Sequence, residues 1–258
     1  MRSAFKNWWL PGYLGSIAYR VRRISPSLFE RLMDWRMVVV TRAGPSFTVR
    51  LRDVNGPAEV FGAGEYADPS IDWRQVEYVL DAGAHVGGFA LWAASRSPDC
   101  KIVCLEPNPQ VRDLLDTNLE RERLGGRVVV QPWALAAGRG AGWFHAEPDS
   151  AASSLVVESA PGDVQVETAT LRDAISATAF PRIDVMKIDI EGAEHGVFAE
   201  VDPSDLDSVG ICIVECHHGS DDIAAALRSA RFDVHAVTKS PDLELLTARR
   251  AGARTQSG

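Results

Sequence analysis

The chain has 258 residues, enough for one large domain, or one domain with an N-terminal attachment, but not for two full domains. A hydrophobic fraction of 46% with 24% charged residues is that of an ordinary globular protein and excludes wholesale disorder. Thirty-five acidic against 27 basic side chains give a net charge of -8, which repels a polyanion over most of the surface, so no nucleic acid partner is expected.

Residues 1–36 come first and are basic: Arg2, Lys6, Arg20, Arg22, Arg23, Arg31 and Arg36 face only Glu30 and Asp34. Trp8, Trp9, Leu10, Tyr13, Ile17, Phe29, Leu32 and Met33 supply apolar contacts. Such a piece suits a helical extension packed on the main domain, a cover over a substrate pocket, a contact in a homodimer, or a contact with an anionic membrane surface. Pro11 and Gly12 interrupt it before a signal-peptide core forms, and no apolar stretch approaches the roughly 20 residues that cross a bilayer. A cytoplasmic protein without stable membrane insertion is expected.

Next, "RMVVVTRAGPSFTVRLRD" reads as two strands joined at Ala43-Gly44-Pro45, followed by the glycine-rich loop "FGAGEYADPS" with Tyr66. Residues 1–75 are therefore expected to form an N-terminal extension and hairpin that cap a main domain of residues 76–258. In that domain strands are predicted at "VEYVLDAG", "KIVCLEP", "RVVVQPWAL", "IDVMKIDI" and "VGICIVEC". Helices are predicted near "GGFALWAASR", "VRDLLDTNLERER", "LRDAISAT" and "SDDIAAALRSA". Apolar strands alternating with helices imply an α/β fold with a mostly parallel sheet covered on both faces. A late hairpin, "FDVHAVTK" with "LELLTARRA", implies that the last strand inserts antiparallel at or near one edge. Cys100 with Cys104 and Cys212 with Cys216 share faces at a strand's two-residue period, which suits packed, reduced thiols rather than a zinc site.

The loop Asp81 to Gly88 falls at the end of the first of these parallel strands, where such sheets bind ligands. Gly83 and Gly87 let the backbone turn sharply and let a ligand approach without a Cβ in the way, and the helix beginning near Gly88 directs free N–H groups toward the same space. Asp81, Gly83, Ala84, His85 and Gly87 are this loop's candidate cofactor contacts. A dinucleotide fingerprint wants glycine where His85 stands, which counts against NAD. Glu106 ends the second strand, where a carboxylate accepts both hydroxyls of a ribose, with Pro107 and Asn108 beside it. Trp133 and Ala134, at the end of the third strand, either border an adenine or fill the core. A glycine loop and a ribose-binding acid without a pyrophosphate-fitting triple suggest a nucleoside lacking a diphosphate, and S-adenosylmethionine fits that description. Residue by residue, the reading stops at a nucleoside-binding α/β enzyme.

"VLDAGAHVGGFALWAA", "CLEPNP" and especially "IDVMKIDIEGAEHGVF" resemble the FkbM family of S-adenosylmethionine-dependent methyltransferases, over roughly residues 58 to 250. The resemblance implies a class I methyltransferase, Rossmann-like fold and O-methylation of a hydroxyl on a sugar or a polyketide-type natural product. Two positions depart from the family's usual pattern: His85, where asparagine is common, and Arg172, where an acid is common. The first is expected to alter contacts to the methionine portion of the cofactor, the second local packing.

Methyl transfer from a sulfonium is an in-line displacement, so the enzyme has to hold an oxygen nucleophile in line and relieve it of a proton. In the fourth strand, alternation sends Lys187 and Asp189 to one face, with Asp189 at the carboxyl end and Glu191 just beyond. The fifth strand brings Glu215, His217 and His218 to the same rim. His217, His218, Asp189 or Glu191 can take the proton, with Lys187 as a neighbouring charge; alternatively, Mg2+ held by Asp189 and Glu215 lowers the hydroxyl's pKa. Glu194 is expected as a solvated charge on the following helix, His145 and His195 as structural or solvated, and Ser153 and Ser154 as a solvated loop. Two readings from other classes stand beside this one: an NAD-dependent oxidoreductase, and a non-catalytic binding protein that keeps a methyltransferase fold.

Overall fold

The computed structural model describes residues 25–41, 44–58, 60–61, 66–145, 154–156, 160–161 and 163–251. Most of the basic extension, including its tryptophans Trp8 and Trp9, and Ser153 lie outside these residues. The described part begins with helix α1 (Pro26–Met33), where the Ser25 hydroxyl accepts the Leu28 N–H and Pro26 opens the first turn. The predicted hairpin follows as antiparallel strands β1 (Arg36–Val40) and β2 (Ser46–Arg50). Alternation points Phe47 and Val49 of β2 inward, where they are fully buried in the main core. At about 1.5–3 kcal/mol for each such side chain, this burial makes the hairpin part of the core rather than an appendage. The outer edge of β2 is tied down as well: the Ser46 and Thr48 N–H groups donate to Glu122 and Asn118, which belong to or adjoin helix α4 (Pro109–Arg121).

After the helical turn α2 (Asn55–Ala58), the main sheet begins with β3 (Tyr78–Ala82), followed by α3 (Gly88–Arg96), β4 (Lys101–Leu105), α4 and β5 (Val128–Gln131). The chain then makes an excursion and returns with α5 (Leu171–Ala177), β10 (Ile183–Ile188), α6 (Glu194–Ala199), β11 (Val209–His217), α7 (Asp221–Ser229), β12 (Phe232–Ser240) and β13 (Leu243–Arg250). The strand order is β12-β13-β11-β10-β3-β4-β5, parallel throughout except for β13, which pairs antiparallel with both β11 and β12. The late hairpin thus inserts its second strand next to β11 and leaves β12 at the edge. From β3 the chain moves outward through β4 and β5 and comes back on the other side at β10, so the switch point lies between β3 and β10.

Each sheet face carries its own core. One packs Val79, Ile102 and Val185 against α3 and α4; the other packs Leu80, Val103 and Met186 against α5, α6 and α7. Both cysteine pairs are buried free thiols, one pair in each core, and burial raises the pKa of all four. Among the described residues no helix is long and apolar enough to cross a membrane.

One predicted strand is two. "RVVVQPWAL" breaks at Pro132, which has no N–H for a ladder; β5 stays in the main sheet, and β6 (Trp133–Leu135) turns into a second one. That sheet, ordered β6-β9-β7-β8, also contains β7 (Gly140–His145), β8 (Ser154–Val156) and β9 (Val164–Ala169), a region without predicted strands. Gly140 and Gly142 hide the alternation of β7, which is why its pattern does not read as a strand.

Candidate active site

The loop after β3 is shaped by contacts with protein. Gly83 adopts φ 76°, and a Cβ there would lie 1.7 Å from the carbonyl oxygen of Asp189. Gly87, at φ 91°, precedes α3, and a Cβ would come within 2.8 Å of Leu115. Neighbouring chain segments thus leave no room for a Cβ at either glycine. His85 between them is also left-handed, at φ 51°, and its N–H donates to Glu106 Oε2 at 2.8 Å. The other Glu106 oxygen accepts the Asn108 N–H at 2.8 Å. Asn108 in turn caps α4 through its side chain. Burial raises the pKa of Glu106 in spite of the opposing charge of His85 and these two N–H donors.

Below this loop Asp81 is wholly buried, and the Lys187 ammonium stands 3.5 Å from its Oδ1. The same ammonium donates to the Gly83 carbonyl at 2.7 Å and lies 3.3 Å from Asp189 Oδ2. Burial opposes a charged Lys187, but Asp189, Asp81 and Glu215 outweigh it and raise its pKa. Asp81 goes up through burial, with Lys187 and the Ala90 N–H pulling the other way. Lys187 is thus a fixed cation that ties the ends of β3 and β10 together.

Beyond β10 the chain turns at Ile190 to Gly192, with Glu191 at φ 55° and Gly192 at φ 97°. Glu194 secures this turn by accepting the Ile190 N–H at 3.2 Å and the Gly192 N–H at 3.1 Å. Far from being a solvated charge, Glu194 is fully buried: its position after a left-handed turn makes it an anchor. His217, from β11, lies between two acids, with Nε2 3.2 Å from Glu191 and Nδ1 3.3 Å from Glu194. The hydrogen bonds to Glu191 and Glu194 raise its pKa to about 10. Burial raises the pKa of Glu191 against the pull of His217. His195 is placed as well, with Nδ1 on Asp222 and Nε2 on the His217 carbonyl. Asp189, Glu215 and His217 offer donor atoms that all lie within 4.8 Å of one another.

These elements border one cleft at the β3/β10 switch point, enclosing about 970 Å3 counted out to its open mouth. Of the predicted residues, Gly83, Ala84, His85, Glu106, Pro107, Asn108, Trp133, Ala134, Lys187, Asp189, Glu191 and Glu215 line it. Asp81 lies beneath the floor, Gly87 sits behind the loop against Leu115, and His217 stands behind Glu191. His218 is exposed, with its N–H on the Asp242 carbonyl. Arg172 pairs with Asp205 at 2.8 Å, away from the cleft.

Several lining residues carry no sequence signal of their own. Phe144 and Leu155 come from the unpredicted second sheet, and Gly56, Val60 and Tyr66 from the segment after the hairpin. The Tyr66 hydroxyl donates to Glu215 at 3.4 Å, and its ring packs edge-on against Phe89.

The chain is 26% identical over 205 residues to hexuronic acid methyltransferase AglP of Haloferax volcanii, covering 78% of this chain and 80% of that protein. It is 26% identical over 208 residues to 31-O-demethyl-FK506 methyltransferase FkbM of Streptomyces tacrolimicus, covering 68% and 80%. Among solved structures, it is similar to Aeropyrum pernix fibrillarin in complex with S-adenosyl-L-methionine, with TM-score 0.48 and 10% identity over 84% of this chain and 83% of that one. The model of the methyltransferase FkbM domain matches residues 81–238, from the buried Asp81 to the last edge strand. With more than half its length so matched, the chain belongs to the FkbM family of S-adenosylmethionine-dependent methyltransferases.

Proposed function

We propose that the protein transfers the methyl group of S-adenosylmethionine to a hydroxyl of a small molecule, a sugar or polyketide-type acceptor. The observation that carries this reading is a single cleft with a ribose-ready carboxylate, Glu106, on one wall and the acids Asp189, Glu191 and Glu215 on the other. Asp189 Oδ1 is buried without a hydrogen-bond partner, which fits the ammonium of a bound methionine moiety. Glu106, with one N–H on each oxygen, keeps lone pairs for the ribose hydroxyls. The cofactor supplies an electrophilic methyl on a sulfonium. The chain's own part is to hold the hydroxyl in line and take its proton.

Glu191 is the acceptor of that proton in this reading. His217 faces a carboxylate with each ring nitrogen, an arrangement that needs both N–H groups, so it holds its proton and fixes Glu191 in place. A second reading has Mg2+ on Asp189 and Glu215, favoured by the convergence of their donor atoms. The names of the two relatives, one acting on a hexuronic acid and one on a demethylated FK506, support a hydroxylated small-molecule acceptor. Gly56, Val60 and Tyr66, which border the cleft next to the hairpin, support a capping role for the N-terminal part.

Isothermal titration with S-adenosylhomocysteine, with and without Mg2+ and with NADH as control, tests the cofactor side. Micromolar binding of S-adenosylhomocysteine alone is expected. Glu106→Ala should weaken it by about 1.5–3 kcal/mol through lost charge-assisted hydrogen bonds. Unchanged affinity in that variant rejects the ribose assignment.

A further inference from the structure

We propose that Asp53 is a positioning residue for the cofactor, acting through His85 to hold the loop in its left-handed conformation and thereby to aim Glu106. The proposal rests on the reading of Glu106 as the ribose ligand. His85 is not glycine, yet it sits at φ 51°, a region that costs an L-residue about 1–2 kcal/mol. In that conformation its N–H donates to Glu106 Oε2, 2.8 Å away. Something has to hold the residue there, and the side chain supplies it. His85 Nε2 lies 3.7 Å from Oδ1 of the fully buried Asp53.

Asp53 itself is fixed. Arg50, at the end of β2, donates to it from Nε at 2.6 Å, from NH2 at 2.9 Å and from its backbone N–H at 3.2 Å. The helical turn α2 closes over the imidazole so tightly that a Cβ on Gly56 would come within 2.7 Å of Nδ1. The next residue of the loop is tied to the same hairpin: Asn118 Nδ2 donates to the Val86 carbonyl at 2.9 Å and to the Thr48 carbonyl at 3.1 Å. The hairpin and the cofactor loop therefore form one mechanical unit, in which Asp53 acts on the ligand site without touching it.

A thermodynamic cycle with glycine tests this. Glycine takes a positive φ without the Cβ penalty, so His85→Gly removes the need for an anchor. Asp53→Asn should weaken S-adenosylhomocysteine binding about tenfold in the native background, the equivalent of the left-handed cost, but less than twofold in the His85→Gly background. Equal losses in both backgrounds, or no loss in either, overturn the proposal. Should Asp53→Asn fail to fold by circular dichroism, His85→Ala against His85→Gly decides: alanine keeps the penalty and loses the anchor, so it should bind about tenfold more weakly than glycine. Equal binding by these two variants refutes the coupling. Glu106→Ala run in parallel separates the outcomes, because loss of binding there with an unaffected Asp53→Asn rejects only the role of Asp53.

Discussion

The two walls of the cleft are built on different principles. The β3/β4 wall is a matter of backbone shape, with residues at positive φ and N–H groups aimed at a single carboxylate, Glu106. The β10/β11 wall is a matter of charge, with Asp189, Glu191, Glu194 and Glu215 arranged around Lys187 and His217. The difference follows from what each has to recognise in the proposed reaction. The cofactor's ribose is met by rigid backbone, whereas its ammonium and a hydroxyl that loses its proton need groups whose charge is set by their neighbours. Adding a Cβ should therefore damage the first wall, and removing a charge the second.

Lys187→Met makes the strongest test. It leaves Asp81 buried without its counter-charge, so stability should fall by about 3–5 kcal/mol, read as a large drop in denaturation midpoint. Pairing it with Asp81→Leu should restore part of the loss, since Asp81 is then no longer stranded while Asp189 and Glu215 still lack their counter-charge. A single variant as stable as the native protein would show that the second wall does not depend on charge. Gly83→Ala comes next, with an expected cost of about 3 kcal/mol from the left-handed penalty and overpacking combined. The added methyl would meet the Asp189 carbonyl, so the variant should lose S-adenosylhomocysteine binding along with stability. If it folds and binds normally, the backbone of the first wall is more yielding than its geometry implies.

The two walls were also unequally legible. The first could be read closely, since a glycine loop at a strand end and an acid at the next strand end are local patterns, and the family resemblance rests on the same residues. The reason for the glycines was not local: Gly83 makes way for Asp189, more than 100 positions along the chain. In the second wall Asp189, Glu191 and Glu215 were legible from alternation, while the burial of Glu194 was not. Its place in "IEGAEH" looks like an exposed helix start, and only the left-handed turn at Glu191 and Gly192 folds it inward. The second sheet escaped because Pro132 lies inside an apolar run that otherwise reads as one strand, and because glycines interrupt β7. Phe144 and Leu155 were lost with it, so the apolar part of the cleft was the least visible in the sequence.

The smallest expected effect concerns His217, and it separates charge from packing within the second wall. Its pKa is raised from 6.5 to about 10, chiefly by the hydrogen bonds to Glu191 and Glu194. A raised folded-state pKa means that the folded chain holds this proton more tightly than the unfolded one. The resulting stability is complete below about pH 6.5 and is lost as pH rises toward about 10. His217→Gln fills similar space without the charge, so its melting temperature should lie below the native value by about 2–4 °C at pH 6, the shift of a 1 kcal/mol effect in a chain of this size. The gap should narrow as the pH approaches 10, because the native imidazolium is by then losing its proton. A gap that stays constant from pH 6 to pH 10 would assign His217 to packing alone, and the second wall would then owe its order to Glu194 and the turn rather than to an imidazolium held between two acids.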